Sequence, residues 1–125
     1  MGKTLDLRLH GVYFDLIKAG KKKREYRDLN DYYVKRLMGG VENLEGEKLE
    51  EFIANIKNPS EREQAMKKQG AYYRVGDKPN AYTQVRFRRG ANAVFLTTKI
   101  EDMFVDAGKF VIVLGDTIKE QNEKK

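Results

Sequence analysis

The chain has no cysteine and no tryptophan, a single histidine and two prolines among its 125 residues. Without cysteine there is no disulfide, no thiolate-held zinc or iron–sulfur site and no thiol nucleophile. His10 stands alone, which excludes a multi-histidine metal site; it reads as a turn residue after the first strand. No apolar run approaches the ~20 residues that a membrane-crossing helix needs. The start Met1-Gly2-Lys3-Thr4-Leu5-Asp6 lacks the apolar segment of a secretory signal. The expectation is a cytoplasmic chain with no membrane partner and no cofactor.

Hydrophobic residues make up 40% and aromatic residues 10% of the chain, enough for one core but hardly two. Charge is abundant and unbalanced, at net +6. Such an excess favours polyanionic partners, because binding releases their condensed counterions. The C-terminal stretch 119–125 is mixed in sign, so the excess lies elsewhere.

Periodicity divides the chain into short elements. Thr4 to Leu9 alternates, placing Leu5, Leu7 and Leu9 on one strand face and Asp6 and Arg8 on the other. Val12 to Lys18 shifts to helical spacing, with Tyr13, Leu16, Ile17 and Phe14 near one face and Gly20 as the stop. Lys22 to Arg27 reads as extended, with Lys23, Glu25 and Arg27 on one side and Lys22, Arg24 and Tyr26 on the other. A helix follows through Leu29, Tyr32, Tyr33 and Leu37, with Asp28 or Asn30 to cap it. Leu49, Phe52, Ile53 and Ile56 mark a further helix in an acidic segment, and Asn58 or Ser60 begins another turn around Pro59. Tyr82 to Arg88 alternates again, with Tyr82, Gln84, Arg86 and Arg88 opposite Thr83, Val85 and Phe87. Ala93 to Ile100 is a second strand, and the run Phe110 to Leu114, ended by Gly115-Asp116, has the pattern of a central one, with Thr117-Ile118 as a candidate continuation after a bend.

These elements predict an α+β fold, a small mixed domain around a curved sheet or partly closed β-barrel with short flanking helices. The expected organisation is one domain over 1–118, a helical insertion over about 42–69 and a charged, fraying tail at 119–125.

The stretch Ala19-Gly20-Lys21-Lys22-Lys23-Arg24-Glu25-Tyr26-Arg27 is the densest in chemistry. A glycine turn feeding cations into a strand suits a phosphate or an acyl oxygen. Its bland alternative is a solvated hairpin edge guarded by lysines. The order strand, then Tyr13-Phe14-Asp15-Leu16-Ile17-Lys18-Ala19-Gly20-Lys21-Lys22, then Glu25-Tyr26-Arg27 resembles the opening motif of the ASCH domain family, a branch of the PUA-like superfamily. Phe110 to Gly115 is similar to that family's final barrel strand, and Val75-Gly76-Asp77 resembles its Gly-Asp turn; the middle, 38–78, is otherwise unlike it.

The resemblance implies a PUA-like barrel with a cleft lined by the Gly-x-Lys turn and the Glu-x-Arg strand, taking RNA or a nucleotide. Lys22, Glu25 and Arg27 then occupy the motif positions. Some bacterial relatives hydrolyse the acetyl amide of acetylated cytidine with a lysine, a threonine and a more distant glutamate. Here Lys22 matches the lysine, Glu25 stands at the threonine position and no residue answers to the distant glutamate.

The candidate RNA- or nucleotide-binding residues are Lys21, Lys22, Lys23, Arg24, Glu25, Tyr26, Arg27, Arg86 and Arg88. For an enzyme, Lys22 would be base or nucleophile activator and Glu25 its proton partner. Arg27 offers a planar fork to a phosphate or base edge and Glu25 an acceptor for an exocyclic amine. Three readings follow: a binding module for RNA or a nucleotide, a small amidohydrolase or RNA-processing enzyme acting on a modified nucleoside, and an interaction domain that docks through the acidic middle helix.

Overall fold

The computed structural model describes residues 2–39, 41, 43–57, 73–75 and 81–122. Its elements are β1 (Lys3–Leu9), α1 (Gly11–Lys18), β2 (Arg24–Asp28), α2 (Asp31–Leu37), α3 (Gly46–Lys57), β3 (Tyr82–Arg89), β4 (Val94–Asp106) and β5 (Lys109–Asn122). The fold is α+β, with a mixed five-stranded sheet in the order β1-β3-β4-β5-β2. β1 and β3 run parallel, while β3 and β4 are antiparallel. The expected turn at Asn58 or Ser60 lies outside the described residues, as do Gly76 and Asp77 of the Gly-Asp turn.

The chain divides into two compact units, one formed by 1–25, 75–102 and 112–125, the other by 26–74 and 103–111. In the first, alternation in β1 buries Leu5, Leu7 and Leu9. Register aligns Leu7 with Phe87 and Phe87 with Leu96, a row of apolar side chains across three strands. The next row joins Leu5, Val85 and Thr98. Phe87 is fully buried, and truncating such a ring to alanine costs about 3–5 kcal/mol.

Two details of this unit differ from the periodicity. Lys3 pairs with Tyr82 but Thr4 pairs with Gln84, so Thr83 is an extra residue in β3. That bulge reverses the alternation, and Tyr82 is buried instead of joining Gln84, Arg86 and Arg88. In α1 the buried residues are Phe14 and Ile17, whereas Tyr13 is exposed.

In the second unit, the Asn30 side chain accepts a 3.0 Å hydrogen bond from the Tyr33 N–H and caps α2. Val34 and Leu37 of α2 and Leu49 and Ile56 of α3 are buried, whereas Tyr32, one of the residues whose spacing marked α2, is exposed. β4 and β5 meet at Ala107-Gly108, with φ of +49° and +74°. Positive φ at both positions is the two-residue turn whose twist matches that of paired strands.

β5 also runs past Gly115-Asp116 to Asn122 in one strand. Residues 119–122, part of the expected tail at 119–125, lie within that strand.

Candidate functional site

Helix α1 ends in a Schellman arrangement. Gly20 takes φ +75°, its N–H bonds to the Ile17 carbonyl, and the Lys21 N–H bonds to the Leu16 carbonyl at 2.9 Å. The Lys22 N–H also reaches the Leu16 carbonyl, at 3.1 Å. The cationic run therefore begins as a turn folded back on the helix, and β2 starts only at Arg24. This corrects the extended reading of Lys22, which does not share a strand face with Arg24 and Tyr26.

The turn instead brings the Lys22 ammonium 3.2 Å from Glu25 Oε1 and 4.5 Å from the centre of the Tyr13 ring. Glu25 is 4% exposed, on the inward side of β2. Burying a carboxylate is costly unless it is paired and hydrogen-bonded, so this pair fixes where the ammonium sits. The carbonyl of Lys23 accepts from the Leu114 N–H at 2.9 Å, which fastens the turn to β5.

Beside the turn lies a cleft of about 370 Å³. Its lining includes Lys18, Gly20, Lys22 and Lys23 on one side and Thr98, Glu101, Gly115, Asp116 and Thr117 from β4 and β5 on the other. Gly115 matters because a Cβ there would stand 2.8 Å from Glu101 Cγ and 2.9 Å from Glu101 Oε1. The missing side chain leaves the Glu101 carboxyl room to lie against β5.

Thr98 is 2% exposed, and its hydroxyl has no hydrogen-bond partner among the described residues. It occupies a row whose other members are Leu5 and Val85, where valine would fit the same space. A buried hydroxyl without a partner costs roughly 1–3 kcal/mol. Such a departure from core patterning is expected where a ligand completes the bonding.

The cleft is thus charge-mixed rather than uniformly basic. Ammonium groups suit a phosphate, carboxylates suit exocyclic amines or sugar hydroxyls, and the Thr98 hydroxyl can donate or accept. Lys18 also pairs with Glu120 at 3.5 Å, where both side chains are exposed.

The predicted site residues separate. Lys22 and Glu25 are joined, and Lys23 lines the same cleft. Lys21, Arg24 and Tyr26 are exposed, the last two on the outward side of β2. Arg27 belongs to the second unit, where its Nη1 donates to the Tyr33 hydroxyl at 3.1 Å and its guanidinium lies 5.8 Å from that ring's centre; it does not line the cleft. Arg86 and Arg88 are on the face of β3 opposite Val85 and Phe87. Sequence reasoning missed Lys18, Thr98, Glu101 and Asp116. The only signals were a threonine pair inside an apolar strand and a Gly-Asp pair taken for a strand end.

Helix α1 is held by a two-point bond. Arg89 Nε and Nη2 donate to Asp15 Oδ1 and Oδ2, each at 3.1 Å. The hydrogen bond from Arg89 holds the Asp15 carboxyl below the usual carboxylate range, with the cation's charge adding to it. Gly11 makes room, since a Cβ there would come within 2.6 Å of Arg89 Nη2. The helix that carries the lysine turn is thereby tied to the end of β3.

No family model, curated protein or solved structure matches this chain.

Proposed function

We propose that this chain is an RNA- or nucleotide-binding domain of ASCH type, with a PUA-like fold, that receives one nucleotide unit in the cleft beside the Gly20 turn. The observation that carries the reading is the partly buried Lys22–Glu25 pair, whose lysine lines a cleft of about 370 Å³. That volume lies within the ordinary range for small-ligand pockets, roughly 300–1,000 Å³. Lys22 and Lys23 meet the phosphate, and Thr98 and Glu101 meet polar edges of the base or sugar. Titration with cytidine monophosphate tests it. Lys22→Gln is expected to weaken binding about tenfold, the scale of one lost charge-assisted hydrogen bond. Equal affinity in the variant and the parent would overturn the assignment.

A second reading is favoured by one observation: Thr98 and Glu101 stand in the same cleft as Lys22, so a hydroxyl and a carboxylate accompany the lysine although neither is near it in sequence. In that reading the domain hydrolyses the acetyl amide of acetylated cytidine, adding water across the C–N bond to give acetate and cytidine. Release of cytidine that is lost in Lys22→Gln and in Thr98→Val supports it, and absence of turnover in the parent protein leaves the binding module.

A further inference from the structure

The outer face of β1, β3 and β4 carries a second feature, separate from the cleft. Register places Arg8 beside Arg88 and Arg88 beside Phe95, with Asp6, Arg86 and Thr97 in the next row and Thr4, Gln84 and Lys99 in the one after. The Arg86 guanidinium lies 4.6 Å and that of Arg88 6.0 Å from the centre of the Phe95 ring, so one aromatic ring orders two forks. Arg86 Nε also donates to Asp6 Oδ1 at 2.8 Å. Arg88 donates to the carbonyls of Ala91 and Asn92 at 3.2 and 3.1 Å. A groove of about 400 Å³ continues the face past Arg86 and Thr97 to Lys119.

We infer that this face is a second nucleic-acid contact surface, which takes the phosphates of a single-stranded RNA extending beyond any unit held in the cleft. Charge decides the ligand class. On this face the paired rows hold Arg8, Arg86, Arg88 and Lys99 with Asp6, and Lys119 and Glu120 border them, whereas the lysines of the cleft stand among carboxylates. Net positive potential over a surface attracts a polyanion, and arginine forks match phosphate oxygens two at a time. Stacking on Phe95 fixes the forks before the ligand arrives, which reduces the side-chain entropy lost on binding. The exposed guanidinium planes also offer a surface on which an unpaired base can lie.

The inference stands apart from the cleft reading, and the two fail separately. Anisotropy of a labelled 12-nucleotide oligouridylate is measured for the parent, for Arg86→Gln with Arg88→Gln, and for Lys22→Gln, across a salt series; cytidine monophosphate is titrated in parallel. The double variant is expected to bind the oligonucleotide about tenfold more weakly near 0.1 M salt. Its log–log salt slope should shrink by about 1.4, the single-strand value for two lost phosphate contacts. Its affinity for the mononucleotide should be unchanged. Arg86→Lys with Arg88→Lys, which keeps the charges, should retain most of the slope, and Asp6→Asn should tighten oligonucleotide binding. A folded double variant with parental affinity and slope overturns the surface, as does a parent protein that ignores the oligonucleotide, whatever the mononucleotide does.

Discussion

In the cleft, the Lys22 ammonium is matched by a buried carboxylate 3.2 Å away, and Glu101 and Asp116 stand among the remaining lysines. On the outer sheet face, Asp6 is the acid among Arg8, Arg86, Arg88 and Lys99. Both regions lie in the same compact unit, yet one holds its lysine against a buried carboxylate and the other gathers two arginines at the Phe95 ring, of which Arg86 alone is also paired with Asp6 among the described residues. Neutralised, partly buried charge suits recognition of shape and hydrogen-bond pattern, whereas stacked, half-exposed charge suits recognition of charge itself. Net charge alone does not locate a site, because the arginine cluster and the cleft are in different places.

The sharpest way to break the contrast is Glu25→Ala. Removing the carboxylate leaves the ammonium without its partner, and we expect a loss of about 2–3 kcal/mol in chemical denaturation, moderated because Lys22 is 20% exposed and can turn to water. Cleft binding should fall with it, while oligonucleotide binding on the outer face should persist below the melting range. A loss under about 0.5 kcal/mol, the scatter of surface substitutions, would mean that the pair does not organise the turn.

Asn30→Ala supplies a control in the other unit. It removes the cap of α2 and should cost about 1 kcal/mol, with no change in either ligand's affinity measured under folded conditions. A selective effect on one ligand would show that stability and site cannot be separated in this way.

Thr98→Val carries the more informative sign. Its hydroxyl has no partner among the described residues, so exchange for a methyl group should leave the melting temperature unchanged or raise it, by up to about 1 kcal/mol in stability. Mononucleotide affinity should drop severalfold in the same variant. Destabilisation beyond about 1 kcal/mol would place the hydroxyl in the scaffold rather than in the cleft's chemistry.

The smallest expected effect is in acid. Asp15 has a lowered pKa in the folded state because Arg89 bonds to its carboxylate. Its stabilising contribution is therefore complete above the ordinary aspartate value of about 3.9 and is lost as the pH falls through the lowered folded value. Denaturation midpoints from pH 6 to pH 3 should converge between the parent and Asp15→Asn at the acid end. Parallel profiles over that range would remove the clamp from the account of α1.

Much of the fold was legible because burial in a half-buried strand or helix leaves a period. Leu5, Leu7 and Leu9, the α3 positions Leu49 and Ile56, and the Asn30 cap all follow from local pattern. Tyr82 was not legible, since a one-residue bulge opposite Lys3 and Thr4 is a property of the pairing. β4 continues through exposed Glu101 and Asp102, and β5 through Gly115-Asp116, where local signals announce an end. Tertiary pairing overrides those signals.

The site was legible in its local part only. Lys22 and Glu25 are three residues apart and meet through a turn. Thr98 and Glu101 reach the cleft through strand pairing nearly eighty residues later, and no spacing rule connects them to Lys22.

The turn after α1 has one more implication. The amides of Gly20, Lys21 and Lys22 are all directed at helix carbonyls, so the main chain there cannot cradle an anion as a glycine-rich phosphate loop does. Any hold on an anion at this bend is left to ammonium groups, and acetylation of those lysines would erase it, whereas a true amide nest would be indifferent to such chemistry.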